Sequence, residues 1–265
     1  MTDEFIEERN ADHIQSIERC MTVIASYTHQ TSASTLSEVA RRTGLSKPTA
    51  RRILLTLERL GYVQQRESTF SLTPKMLELG YAYLSSQSLT QIAQVRLEQL
   101  TDLLDESTSL VALDGTDVIY VSRVHRHRIT GITLAVGTRL PAHATSSGHV
   151  LLAGLNTRAL ERYLETANLK ALTDRTIVDR VQLEERIAAV RIRGWDAVDQ
   201  ELEIGRRSIA VPIFDMQGNV TAALSLSCGT TGRTLEEMCE YYLPHLLGTA
   251  SQISNALGHR PKNSP

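Results

Sequence analysis

The sequence predicts an α+β protein in two parts, a small helical part followed by a larger one built on an antiparallel sheet. Two observations predict it. Up to residue 73, short apolar stripes at helical spacing are broken by glycines and closed by two short strands. Beyond residue 88, strand-like runs are flanked at both ends by helices, the pattern of one sheet with helices on its faces. A length of 265 residues fits one or two domains, and 42% hydrophobic with 22% charged residues is an ordinary globular balance.

The first helix is expected over residues 14–27, with Ile14, Ile17, Met21, Ile24 and Ala25 at helical spacing and Ser16 as its cap. The polar stretch from His29 to Thr35 reads as a loop. A short second helix carries Leu36, Val39 and Ala40 and ends at Gly44, which suits a left-handed C-terminal cap. Ser46 is the expected N-cap of a third helix, with Pro48 in its first turn, running to about Leu60 before Gly61. Ala50, Ile53, Leu54, Leu57 and Leu60 fall on one face, and Leu55 falls on the exposed side. Residues 62–65 and 69–72 read as a hairpin around Arg66.

Helix, glycine turn and helix form a helix-turn-helix, and the hairpin that follows is a wing. The net charge of the chain is −2, yet residues 41–66 hold seven basic groups and one acid, Glu58. A cationic block inside a near-neutral chain is the electrostatic footprint of a DNA-contacting element. The candidate contacts are Arg41, Ser46, Lys47, Pro48, Thr49, Arg51, Arg52 and Arg66. Arginine pairs bidentately with guanine, and hydroxyls take phosphates. The winged helix-turn-helix is expected over residues 10–73, with a connector helix over 74–88.

The second part is expected over residues 89–258. A helix at about 89–105 leads to strand-like runs at 108–113, 118–124 and 129–136, then a Gly/Pro loop over 137–141. Helices follow from Thr145 or Ser146, at 157–165 and at 180–193. Strands are expected at 195–200, 207–214 and 220–227, then a helix at 234–257 and a disordered tail over 259–265.

The phrases Thr73-Pro-Lys-Met-Leu-Glu-Leu-Gly80, Gly137 to Ala153, Glu201-Leu-Glu-Ile-Gly205, Ile209 to Asp215 and Ala222 to Ser227 resemble the IclR-type bacterial regulators, over nearly the whole chain. Within that family the chain is most similar to the regulators of protocatechuate and 4-hydroxybenzoate catabolism. The resemblance implies a transcriptional regulator with a GAF/profilin-like sensor domain. It implies a homodimer or tetramer on a pseudo-palindromic double-stranded operator, and a small organic acid, aromatic by preference, as effector. Motif by motif, it implies a pocket of Ser146, Ser147, Ile129, Ile132, Leu140, Arg206, Ser208, Ser225 and Ser227. Val198 stands where relatives that bind short keto acids carry an aspartate, which argues against a pyruvate-like ligand.

The pocket residues also make sense by themselves. Ser146 and Ser147 open a helix, where unpaired N–H groups favour an anion. Ser225 and Ser227, two apart on a strand, point to one face. Arg206 and Arg207 point to opposite faces, and either one could meet a carboxylate. His143 in the loop is a candidate hydrogen-bond donor to a ligand. The rival reading is a serine-dependent hydrolase or transferase localised on DNA, with Thr145-Ser-Ser-Gly148 and His149 or His143 as nucleophile and base; no third partner is apparent in the sequence. His125-Arg126-His127 offers two imidazoles without a third ligand, so no metal is expected. No cofactor motif is present. The acidic start has no apolar core, no run of eighteen apolar residues occurs, and three widely spaced cysteines do not build a disulfide framework. A cytoplasmic location away from membranes is therefore expected.

Overall fold

The computed structural model describes residues 13–28, 31–79, 88–126 and 134–260. The chain divides into two compact units, one ending at Ser86 and the next beginning at Gln87. In the first unit, α1 (Gln15–Ala25), α2 (Leu36–Thr43) and α3 (Lys47–Arg59) surround a core of Val23, Val39, Leu54, Leu57, Val63 and Phe70. Strands β2 (Val63–Arg66) and β3 (Thr69–Leu72) form the hairpin. Thr35 caps α2 through a capping box with Glu38, and Gly44 ends it at φ 67°, where an L side chain would be strained. Ser46 caps α3 by accepting from the Thr49 N–H.

Several details differ from the sequence reading. Ser16 caps nothing, because α1 is preceded by Ile14 without a side-chain bond. The stripe of Ile14, Ile17 and Met21 stays out of the unit's core, at 60%, 57% and 53% exposure, and Val23 is the buried anchor instead. Leu60 is also exposed and Leu55 is half-buried. Residues 33–35, expected as loop, form β1 (Ala33–Thr35), which pairs antiparallel with β3. Three residues carry no periodicity to read; their partner alone makes them a strand. Of the expected connector helix, Pro74–Met76 form a 3-10 turn and residues 77–79 are helical; residues 80–87 lie outside the described residues.

The second unit is a six-stranded antiparallel sheet. Its strands are β4 (Ser107–Asp114), β5 (Asp117–Val124), β6 (Arg139–Pro141), β7 (Asp196–Asp199), β8 (Arg206–Phe214) and β9 (Val220–Gly229), in the order β6-β5-β4-β9-β8-β7. One face is apolar. Leu110, Ile209, Val211, Ile213, Leu224 and Leu226 pack there under α4 (Ser88–Leu104) and α8 (Leu235–Ala256). The other face meets α5 (Ser146–Ala153), α6 (Thr157–Thr166) and α7 (Arg180–Arg193). The expected strand at 129–136 falls largely outside the described residues, and residues 134–136 are not strand. The sheet edge comes instead from β6, inside the expected Gly/Pro loop. His259, placed in a disordered tail by the sequence, stacks on Phe214 with centroids 5.0 Å apart. Among the described residues no helix is long and apolar enough to cross a membrane.

Helix α5 lies close against its neighbours. A Cβ built on Gly148 would sit 2.0 Å from the Ala142 carbonyl oxygen, and one on Gly154 would sit 2.5 Å from the Val220 Cβ. Gly148→Ala is therefore expected to destabilise the protein by about 2–3 kcal/mol in urea unfolding, an overpacking cost that backbone atoms cannot relax. Gly232, with nothing within 4 Å of its built Cβ, meets no such clash.

Candidate functional site

In the first unit the N-terminus of α3 presents Ser46, Lys47, Pro48, Arg51 and Arg52 to solvent, while Ala50, Leu54 and Leu57 hold the opposite face in the core. Thr49 is half-buried, and its hydroxyl lies 2.9 Å from that of Ser46. Arg66 pairs with Thr69 at the exposed tip of the wing, next to Glu67 at φ 51°. Arg41 is exposed on the last turn of α2. Among the described residues none of Arg41, Lys47, Arg51, Arg52 or Arg66 forms an ion pair. The helix that would enter a groove thus carries uncommitted cations on a rigid, capped base.

In the second unit the register of the sheet gathers the serines into rows on the face under α5. One row runs Arg123, Ser109, Ser225, Ala210 and Asp196 across β5, β4, β9, β8 and β7. The next runs Ser107, Ser227, Ser208 and Val198. Ser146 and Ser147, both buried, begin α5 above them. The Ser146 and Ser208 hydroxyls share a hydrogen bond at 2.8 Å, whereas the buried Ser227 hydroxyl has no partner among the described residues. Thr145, the N-cap of α5, accepts from the Gly148 N–H at 3.0 Å. Leu140 sits half-buried on β6; Ile129 and Ile132 lie outside the described residues.

Strand alternation puts the two neighbouring arginines on opposite faces. Arg206 shares its face with Ser208, and its Nε donates to Glu203 at 3.0 Å. Arg207 points to the other face and pairs with Asp199 at 2.6 Å. His143 is buried, and its Nε2 donates to the Lys170 carbonyl at 3.1 Å, so that nitrogen is already committed. Burial holds its pKa below the usual imidazole range. Cys228, one residue past Ser227, belongs to the opposite face beside the Met238 sulfur.

The hydrolase geometry is not assembled. The sequence showed no third partner for His149, and the structure supplies one: His149 Nδ1 lies 2.6 Å from Asp196 Oδ2. Its Nε2, however, donates to the His143 carbonyl at 2.7 Å, not to a serine. The hydrogen bond between nucleophile and base that such chemistry needs is absent among the described residues. Asp196 also pairs with Arg186 at 2.9 Å and with Arg193. Burial pulls the His149 ring towards its neutral form, opposed by the Glu201 charge and the His143 carbonyl. The ring is held between two oxygens, Asp196 Oδ2 at Nδ1 and the His143 carbonyl at Nε2.

A winged helix-turn-helix and a sheet whose polar face lies under a short helix define a DNA-binding regulator. Comparison with known proteins agrees. Residues 16–67 match the IclR helix-turn-helix domain, and residues 81–255 match the C-terminal domain of the bacterial transcriptional regulator IclR. The chain belongs to the IclR family of transcriptional regulators. It is 40% identical over 247 residues to the Pca regulon regulatory protein of Pseudomonas putida, covering 93% of this chain and 85% of that one. It is 34% identical over 254 residues to the p-hydroxybenzoate hydroxylase transcriptional activator of Acinetobacter baylyi, covering 94% of each. A crystal structure of an IclR homologue from Microbacterium hydrocarbonoxydans, complexed with 4-hydroxybenzoate, superposes with a TM-score of 0.81 at 26% identity, covering 91% of this chain and 98% of that one.

Asp196 is buried, and it meets the guanidinium groups of Arg186 and Arg193, both partly exposed, and the buried His149 ring. Asp196→Asn is expected to cost about 1.5–3 kcal/mol in urea unfolding, because His149 and Arg186 lose their charge-assisted hydrogen bonds. A loss below 1 kcal/mol would show that Asp196 does not anchor α5.

Proposed function

We propose that the protein is a cytoplasmic, non-enzymatic regulator whose DNA affinity or transcriptional output responds to a small aromatic acid. The observation that carries the reading is the double serine row under the start of α5. It offers several hydroxyls on a face otherwise lined by Tyr120, Val111, Ala210 and Ala223. A mostly apolar surface with a few convergent polar groups suits a small carboxylic acid with a flat ring. Relatives support the class: one activates the gene of p-hydroxybenzoate hydroxylase, and a structural neighbour is complexed with 4-hydroxybenzoate. Leu140, Ser146, Ser147, Arg206, Ser208, Ser225 and Ser227 line or border this face in the proposal, with Ile129 and Ile132 completing the wall and His143 supporting the loop beside it.

The DNA contacts proposed are Arg41, Ser46, Lys47, Pro48, Thr49, Arg51, Arg52 and Arg66. The exposed stripe of Ile14, Ile17 and Met21 supports association with a second copy, and a two-fold dimer reads a pseudo-palindromic operator. The proposed units are the winged helix-turn-helix over 10–73, a connector over 74–88 and the sensor over 89–258. The acid must bind one state of the protein better than another, since equal binding shifts nothing.

Fluorescence anisotropy with DNA upstream of the gene, at several salt concentrations and with and without 4-hydroxybenzoate, tests the reading. Salt-sensitive binding is expected, together with a change on adding acid in either affinity or in-vitro transcription. Arg52→Ala is expected to weaken binding by about 1–3 kcal/mol. Binding no tighter than to a random fragment, or complete indifference to aromatic acids in both assays, contradicts it.

A further inference from the structure

One charged group on the serine face is unexplained by the fold. Arg123 is half-buried on β5, in register with Ser109, whose hydroxyl accepts from its Nη1 at 2.7 Å. Its Nε donates to His125 Nδ1 at 3.3 Å, and its guanidinium lies 5.7 Å from the centroid of the Tyr120 ring. Among the described residues no carboxylate lies within 4.0 Å of it. The two arginines that the sequence offered for a ligand are already committed, Arg206 to Glu203 and Arg207 to Asp199. Asp196, at the far end of the Arg123 row, is likewise taken up by Arg186, Arg193 and His149. Arg206 and Asp196, the other charges placed along these rows, thus have partners inside the protein. An uncompensated, partly desolvated guanidinium is costly, and an arriving carboxylate relieves that cost with two parallel N–H···O bonds.

We propose that Arg123 binds the carboxylate of the effector and sets the preference for acids over their neutral analogues. The inference rests on the aromatic-acid reading above. The ring then lies against Tyr120, and its far substituent faces β9, where Ser225 stands two strands along the Arg123 row and Ser227, whose hydroxyl has no partner among the described residues, stands in the next row. Arg206, held by Glu203, adds positive potential near the same site without supplying the pairing, in keeping with its like-charge effect on Arg123.

Isothermal titration calorimetry on the full chain decides the matter, with 4-hydroxybenzoate and its uncharged analogue 4-hydroxybenzamide as probes. The wild type is expected to prefer the acid. Arg123→Gln is expected to lose about 10- to 100-fold in affinity for the acid and little for the amide, so the discrimination collapses. Arg206→Gln is expected to weaken acid binding less than Arg123→Gln does and to leave a clear preference for the acid. Arg123→Lys, which retains the charge, is expected to recover part of the preference and serves if the glutamine variant unfolds, with thermal melts reporting folding. Discrimination that survives in folded Arg123→Gln, or collapses in Arg206→Gln instead, overturns the assignment while leaving the effector class standing. A wild type that binds neither probe overturns the aromatic-acid reading and this assignment with it.

Discussion

The arrangement of the second unit depends on one buried carboxylate. Asp196 sits at the edge of the sheet with no solvent exposure, and its two oxygens face His149 from α5 and Arg186 and Arg193 from α7. A carboxylate in so dry a place is tolerable only with such compensation, and the buried His149 ring needs the carboxylate in return as the partner of its Nδ1. This mutual requirement ties β7, α5 and α7 together. His149 then reaches back to the His143 carbonyl, fixing the turn that leads into α5. Ser146 and Ser147 inherit their positions from that fixed turn.

With α5 anchored, the two faces of the sheet divide the work. The face under α4 and α8 is apolar and sustains the fold. The face under α5 carries hydroxyls at Ser109, Ser208, Ser225 and Ser227; Ser109 accepts from Arg123 and Ser208 meets Ser146, while the buried Ser227 hydroxyl has no partner among the described residues. Residue alternation along β9 is the device: Leu224, Leu226 and Cys228 turn one way, Ser225 and Ser227 the other. The first unit solves a different problem. Its helix α3 buries Ala50, Leu54 and Leu57 and keeps its cations free on the outer side.

Much of this was legible in the sequence, because local chemistry and tertiary structure agree. The helix over 180–193 is where the sequence places it, and the structure caps it with Asp179 and ends it at Gly194; the start of α3 follows from Ser46 and Pro48. What was not legible depends on pairing. β1 and β6 are three residues each and exist only through their partners. The stripe on α1 was visible, but periodicity cannot say that Ile14, Ile17 and Met21 face away from their own unit's core. Arg123 was missed for a sharper reason. Counting alternately from Tyr120 puts Ser122 on the serine face and Arg123 on the opposite one. The register shift at Leu110/Val111 leaves Val121 unpaired, so Ser122 bonds Gln94 of α4 while Arg123 joins Ser109. A bulge leaves no mark in a run such as Val118 to Val124.

The proposed function puts the acid on the serine face beneath α5. Hydrogen–deuterium exchange of the full chain, with and without 4-hydroxybenzoate, addresses that claim directly. Slowed exchange is expected in residues 107–109, 120–124, 145–149 and 225–227, with α8 unchanged. Protection confined to α4 and α8, or none at saturating acid, would contradict it.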